Sequence, residues 1–441
     1  MTYDLILKNG IAILPQGKTQ TDIAITNGRI EAIGTFDETE ATETIDCTNL
    51  HILPGLMDTQ VHFREPGGEH KETLETGMMA AAMGGITAIF EMPNTNPLTT
   101  TPEALQDKLD RAAKAPWTDY AFYFGGTQDN AENLKEWENL PGVCGIKIFM
   151  GSSTGNLLTA TDEALDAVLS NGKRVLAAHA EDEAMMIENK ETILGDSTDV
   201  TMHPTWRSAK GCLTATIRLV KTAKKYGRRV HVLHISSAEE MEFLAQHKDI
   251  ASVELLANHL TLHAPDCYEQ LGSKAQQNPP IREKSHQDAL WKALNDGLVD
   301  ILASDHAPHT LEEKAETYPG SPSGTPGVQT IVPIMLNHIN EGRLTLERLT
   351  DLMAAGPARI HQIAGKGRIA RGFDADFTIV DMNKEMTITD AQQKSTAGWT
   401  PFNGKKVKGW PVQTIIRGQT VMKDEELIAP IGQPVKFKET L

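Results

Sequence analysis

ILPGLMDTQVHFRE, residues 52–65, is the stretch that decides the fold. An apolar run that stops abruptly at Gln60, His62 and Arg64 reads as a buried parallel strand delivering polar groups at its C-terminal end. Seven further apolar runs follow, at 86–92, 120–124, 145–149, 175–178, 230–235, 253–257 and 299–303. Helix-like stretches lie between them, at 72–83, 102–113, 161–170, 213–226 and 287–295. Strands alternating with helices predict parallel βα units, and eight such units close a TM-spanning-free, soluble (β/α)8 barrel, the TIM barrel of the α/β class.

Outward from this middle, both ends change texture. Short alternating runs at 5–7, 11–14, 22–25 and 30–33 are separated by Asn9-Gly10 and Asn27-Gly28, which signal hairpins. Similar runs return at 375–381, 385–388, 412–417 and 420–422. The expected organisation is a small β-sandwich domain formed by both termini, 1–53 with 365–441, around a barrel at 54–364. Of the 441 residues, 42 are basic and 59 acidic, a formal net charge of −17. That balance excludes an extended polyanion such as nucleic acid as partner, but not a small anion met by a local basic pocket. Four scattered cysteines without a CxxC pair fit isolated thiols in a reducing cytoplasm. With no signal peptide and no apolar run of membrane-spanning length, the expected location is cytoplasmic, away from membranes.

Nearly every apolar run ends at reactive side chains: Gln60, His62 and Arg64 after the first, Asn94 after the second, Lys147 in the fourth, His179 after the fifth, His234 in the sixth, Asp305 and His309 after the eighth. In a barrel these ends share one face, and that face holds the active site. One histidine at a strand end is more often a hydrogen-bonded core residue than a ligand. His62, His179, His234 and Asp305 at four strand ends favour a metal, and imidazole with carboxylate suits zinc, manganese or iron better than calcium or magnesium. Lys147, in Gly-Ile-Lys-Ile-Phe, is too deep in apolar sequence to keep a bare ammonium at low cost. Taken alone it would snorkel to the barrel mouth or pair with an acid; beside a metal cluster, a carboxylated lysine bridging two ions accounts for it better.

Residues 58–67 (DTQVHFREPG), 92–97 (MPNTNP), Lys147, His179, His234, 278–282 (NPPIR), 305–309 (DHAPH) and 372–376 (GFDAD) resemble the cyclic amidohydrolases, and among them the dihydroorotases. The resemblance spans nearly the whole chain, and REPG and MPNTNP are its specific part. It implies one or two Zn2+ ions per subunit, held by His62, Lys147, His179, His234 and Asp305. Gln60 stands where the family usually has the first histidine of His-x-His. An amide oxygen donates more weakly than imidazole, so Gln60 is at most a weak ligand, and the ion shared by His62, Lys147 and Asp305 is the one affected.

The resemblance further implies reversible hydrolysis of dihydroorotate to N-carbamoyl-L-aspartate in pyrimidine biosynthesis. Hydroxide supplied at the metal would attack the ring amide, with Asp305 as general base and then acid. Arg64, Asn94 and His309 would hold the substrate carboxylate, the guanidinium through its planar fork. Taken singly, Arg64 could pair with Glu65 or Glu69 on the surface, and Asn94 could cap a turn. Asn278 and the loop Gly324-Thr325-Pro326-Gly327 would contact the ring. The stretch 151–155 (GSSTG) has the look of a flap or phosphate cradle but lacks the lysine of a P-loop. A hydantoinase, dihydropyrimidinase or allantoinase would share the metal set; Arg64 with Asn94 separates a charged substrate from a neutral ring. Gln60 also leaves open an inactive dihydroorotase-like partner of aspartate transcarbamoylase, and a plain anion-binding protein ranks last. A homodimer is implied by the resemblance alone.

Overall fold

A computed structural model describes residues 2–153 and 157–438. Eight parallel strands form the central sheet: β1 (Leu56–Val61), β2 (Ile86–Glu91), β3 (Asp119–Gly125), β4 (Val143–Phe149), β5 (Leu176–His179), β6 (Val230–Val232), β7 (Ala251–Leu256) and β8 (Ile301–Ala303). Each pairs with its sequence neighbours, and β8 approaches β1 through a bridge between Val61 and His306, with the His62 N–H donating to the His306 carbonyl at 2.7 Å. The result is a nearly closed barrel with helices outside it. All residues of β1 to β4 are buried, as expected where side chains meet either the barrel interior or the helical layer.

The connecting helices start where the sequence supplies caps. Thr101, Thr161 and Ser208 accept the orphan backbone N–H groups of Pro102–Ala112, Asp162–Leu169 and Ala209–Tyr226. The last of these helices ends at Gly227 in the left-handed conformation. No helix among the described residues is long and apolar enough to cross a membrane.

The opening stretch is two strands, not one. His51–Pro54 belongs to the terminal sheet, and β1 begins only at Leu56. Gly55 makes the passage: a Cβ there would lie 2.5 Å from the Thr87 hydroxyl and 2.7 Å from the Asp376 Cβ. A continuous apolar run cannot show which of its residues pair in which sheet. Asn9-Gly10 is likewise not a hairpin. Tyr3–Leu14 runs through it as one strand, with Asn9 at φ 61° and the register against Gly17–Thr26 shifting between Leu7 and Gly10. Asn27-Gly28 does join the antiparallel pair Gly17–Thr26 and Arg29–Gly34.

The terminal sheet has nine strands drawn from both ends of the chain. His51–Pro54 pairs with Tyr3–Leu14 on one side and with Phe377–Thr387 on the other, so the N-terminal strands and the returning chain are parts of one sheet. Leu5, Leu7, Ile23, Ile25, Phe377, Ile379 and Ile415 fill its core. Lys366 ties this sheet to the barrel by ion pairs with Asp119 at the start of β3 (2.6 Å) and with Asp374 (3.0 Å) and Asp376 (2.5 Å) of the returning segment. The C-terminal segment then closes the far end of the barrel. Val435 and Gln433 bond the backbone of Tyr120, and buried Phe437 packs against Phe90 under the Arg174 guanidinium.

Candidate active site

The polar residues that end the strands do meet at one face. Gln60, His62, Asn94, Lys147, His179, His234, Asn278 and Asp305 line one enclosed cavity of about 20 Å³, together with Phe149, Ser153, Ala307, Ser323 and Gly324. Asn94 is shared with an open cleft of about 420 Å³ whose walls include Arg64, Gly67, His70 and Lys71. A larger groove of about 570 Å³, between residues 13–17 and 347–359, contains none of them.

Backbone geometry marks three of these positions. Arg64, His234 and Asp305 adopt φ of 61°, 40° and 49°, a region that side-chain-bearing residues seldom enter. Each sits just past a strand end, where a left-handed residue turns the chain sharply and aims its side chain. Such conformations cost about 1–3 kcal/mol apiece and persist where the surroundings enforce them.

On one side of the cavity the His179 Nδ1 lies 3.0 Å from the His234 Nε2. Burial pushes both imidazoles below their ordinary pKa, His234 the more strongly because His179 adds to the effect, which favours the neutral form of both. Opposite, the His62 Nε2 lies 3.2 Å from the Asp305 Oδ1, and its Nδ1 lies 2.7 Å from the Asn94 Oδ1. Gln60 donates its amide N–H to the same Asp305 oxygen at 2.9 Å. Burial would raise the Asp305 pKa, but the His62 contact and the charges of His62, His234 and Lys147 hold it well below the carboxylate range. Lys147 is fully buried, and burial brings its pKa down to about 7. Its Nζ has no hydrogen-bond partner and lies 4.3 Å from the centre of the Phe149 ring, so it neither snorkels nor pairs with an acid.

Among the described residues, no three or more His, Cys, Asp and Glu side chains form a metal cage by themselves. The donors stand as two pairs around a cavity that Lys147 also enters. Partnerless buried atoms here include the Lys147 Nζ, the His234 Nδ1 and the Gln60 Oε1. Buried polar atoms are seldom left unpaired without a functional reason. Neutral imidazoles, an ionised carboxylate and a lysine short of a ligand oxygen are a donor set that fits a divalent transition metal once Lys147 supplies that oxygen.

The neighbouring cleft, which shares Asn94 with the cavity, is cationic. Arg64 is only 8% exposed; its Nε donates to the Pro308 carbonyl at 3.1 Å, and its NH2 group lies 3.2 Å from the His309 Nε2. The surface ion pair considered for it does not form, because Arg111 takes both Glu65 (3.1 Å) and Glu69 (3.7 Å). The Lys71 ammonium lies 3.1 Å from the His309 Nδ1 and 3.0 Å from Glu313. Donor-only groups thus flank both ring nitrogens, Lys71 at Nδ1 and Arg64 at Nε2, and the Ser323 carbonyl also lies 3.1 Å from Nε2. Burial, followed by the charges of Arg64, Lys71 and Lys314, keeps His309 neutral far below its ordinary range. Asn278 spans the mouth, its Oδ1 3.1 Å from the His203 Nε2 and its Nδ2 donating to the Ser153 hydroxyl at 3.3 Å. Within the stretch 151–155, residues 154 and 155 lie outside the described residues.

Several participants escape a reading of strand ends. The Glu181 carboxylate lies 2.8 Å from the His179 Nε2 and is paired with Arg207, which also donates to the Ser152 carbonyl at 2.9 Å. A carboxylate behind a ligand histidine fixes which ring nitrogen faces the metal. Glu181 was visible two residues past His179, but nothing local distinguishes it from a solvated acid. Lys71 comes from a loop and Lys314 from the short helix Leu311–Lys314, segments whose path the strand pattern does not give.

The Amidohydrolase family profile matches residues 51–421. The chain is 34% identical over 429 residues to the dihydroorotase of Halobacterium salinarum, covering 96% of this chain and 98% of that one. It is 36% identical over 393 residues to the dihydroorotase of Pyrococcus abyssi, covering 87% of each. Among solved structures, an L-hydantoinase from Arthrobacter aurescens superposes with a TM-score of 0.94 at 30% identity, over 99% of this chain and 100% of that one. A match across the barrel and most of the terminal sheet, joined to the convergence of strand ends, leaves one conclusion: the chain belongs to the amidohydrolase family, as a metal-dependent cyclic amidohydrolase.

Proposed function

We propose that this protein is a dihydroorotase, opening the cyclic amide of dihydroorotate to N-carbamoyl-L-aspartate and closing it again. The observation that carries this is the buried Arg64 guanidinium beside a neutral His309, with Lys71 behind the ring and Asn94 at the cavity edge. A site for a neutral hydantoin ring has no use for buried positive charge facing its cleft; a ring bearing a carboxylate does. The dihydroorotase relatives support the same choice, while the hydantoinase structures share the barrel and fit the alternative.

The metal belongs with His62, Lys147, His179, His234 and Asp305, and we take it to be zinc, with Lys147 carboxylated. A buried lysine with no hydrogen-bond partner is poorly explained as an ammonium, whereas a carbamate would give each donor pair an anionic oxygen. When bound, the metal lowers the pKa of water and polarises the amide carbonyl. Arg64, Asn94 and His309 would orient the substrate through its carboxylate. Asp305, an ionised carboxylate steadied by the Gln60 amide, would accept the proton of the attacking water. It would return that proton to the ring nitrogen as the carbon–nitrogen bond breaks, so that one water adds across the amide. Gln60 donates to Asp305 through nitrogen and keeps a partnerless oxygen, which suits a weak ligand or an anchor for the carboxylate. Free, buried cysteines accord with a cytoplasmic enzyme.

The test is turnover of dihydroorotate, hydantoin and dihydrouracil by zinc-loaded protein and its Arg64→Ala variant. Dihydroorotate should be the preferred substrate and should alone suffer in the variant. A variant that keeps full activity on dihydroorotate, or a wild type that prefers a neutral ring, defeats the assignment.

A further inference from the structure

Lys314 is a buried cation that the chemistry above does not use. It is 1% exposed, and its ammonium donates to three main-chain carbonyls, Gln276 (3.2 Å), Pro322 (2.8 Å) and Gly324 (3.1 Å). Three donors meet three acceptors, which makes burial of the ammonium tolerable without a carboxylate partner. Those carbonyls belong to two segments, one leading into Asn278 and one containing Ser323 and Gly324, and all three of these residues line the enclosed cavity.

A second set of bonds ties the same segments. Gln276 donates from its amide to the Ser321 carbonyl (2.9 Å), accepts from the Ser321 hydroxyl (2.7 Å) and takes the Gly324 N–H on its own carbonyl (2.9 Å). The fit is tight: a Cβ on Gly324 would come within 2.3 Å of the Ala307 carbonyl. What this clamp fixes is the Ser323 carbonyl, which lies 3.1 Å from the His309 Nε2.

We propose that Lys314 is a positioning residue for the pocket that receives the substrate carboxylate: by locking residues 322–324 against Gln276 it sets the orientation of His309 beside Arg64. This rests on the dihydroorotase reading and adds a residue with no direct contact to the ring. The expected signature is a loss of substrate affinity with the chemical step retained.

The experiment uses zinc-loaded full-length protein, comparing wild type with Lys314→Met and the milder Ser321→Ala. Measurements are KM and kcat for dihydroorotate, bound zinc, and Tm. Lys314→Met should raise KM about tenfold or more, as expected when buried carbonyls lose their donor, with kcat within about threefold and zinc unchanged. Ser321→Ala should move KM in the same direction by a smaller factor at nearly unchanged Tm. A folded Lys314→Met variant with unmoved KM, or with kcat falling instead, overturns the proposal. If that variant does not fold, an unmoved KM in Ser321→Ala overturns it. A wild type without dihydroorotate turnover overturns both this proposal and the functional reading; an active wild type with unmoved variants overturns this one alone.

Discussion

The two sides of the cavity are built on different plans. The metal side comes from strand ends: Lys147 within β4, His179 closing β5, His234 two residues past β6 and Asp305 two past β8. It gathers imidazoles, the ionised Asp305 and the buried Lys147, and several of its buried atoms lack partners. The cationic side comes from loops and the short helix Leu311–Lys314, and its cations Arg64, Lys71 and Lys314 each have main-chain carbonyls, an imidazole or Glu313 as partners. Rigid strands suit a cluster whose donors must converge on one point, while loops can vary so that the same chemistry acts on different rings.

Changes on the metal side should abolish function and those on the loop side should redirect it. Lys147→Ala should have the largest effect: metal content falls and kcat drops by more than about 10³-fold, since the ion's stabilisation of developing charge is lost. Full metal occupancy in that variant, measured by elemental analysis, would place Lys147 outside the ligand set. Arg64→Ala should cost about 10²-fold in kcat/KM for dihydroorotate, expressed largely in KM, while metal content stays put. Equal losses on a neutral ring would erase the distinction between the sides. Phe437→Ala, at the opposite end of the barrel, should destabilise by about 3–5 kcal/mol through the cavity it leaves, without altering KM. Gln60→His should tighten metal binding by about tenfold if position 60 faces the ion held by His62 and Asp305. Unchanged occupancy and rate would confine Gln60 to its bond with Asp305.

The same contrast explains what the amino-acid sequence could and could not show. The strand ends were legible because period and polarity change together there: an apolar run ends and His179 or Asp305 follows. The barrel was legible for the same reason. Gly55 was not, since Leu56 and Met57 continue the apolar run of Ile52–Pro54 without a break, and only pairing with Phe377–Thr387 or with β2 separates the two strands. Lys71 and Lys314 were hidden because a lysine between strands is ordinarily solvated; their environment depends on contacts with distant segments. Arg64 stood out through its motif, and its environment follows from Arg111 capturing the neighbouring acids.

The smallest expected effect probes how the metal side is held from behind. Glu240 accepts from the Ser237 hydroxyl at 2.8 Å and the Thr216 hydroxyl at 3.1 Å, and burial pushes its pKa up to about 7 against the opposing pull of Ser237 and Arg282. Arg282 in turn donates to the Ser236 hydroxyl and to the carbonyl of Arg207, the partner of Glu181 behind His179. An acid whose pKa is raised by folding binds more protons in the native state than in the unfolded chain. Its contribution to stability is therefore intact below the unfolded value, near 4.3, and is lost progressively as pH rises through about 7. Glu240→Gln removes that dependence. The variant should match wild type near pH 4 and gain on it up to pH 8 by about 1–3 kcal/mol, a shift of a few degrees in Tm. Should the variant instead be less stable at every pH, the ionised carboxylate is required to hold Arg282, and with it the main chain at Arg207, the partner of Glu181.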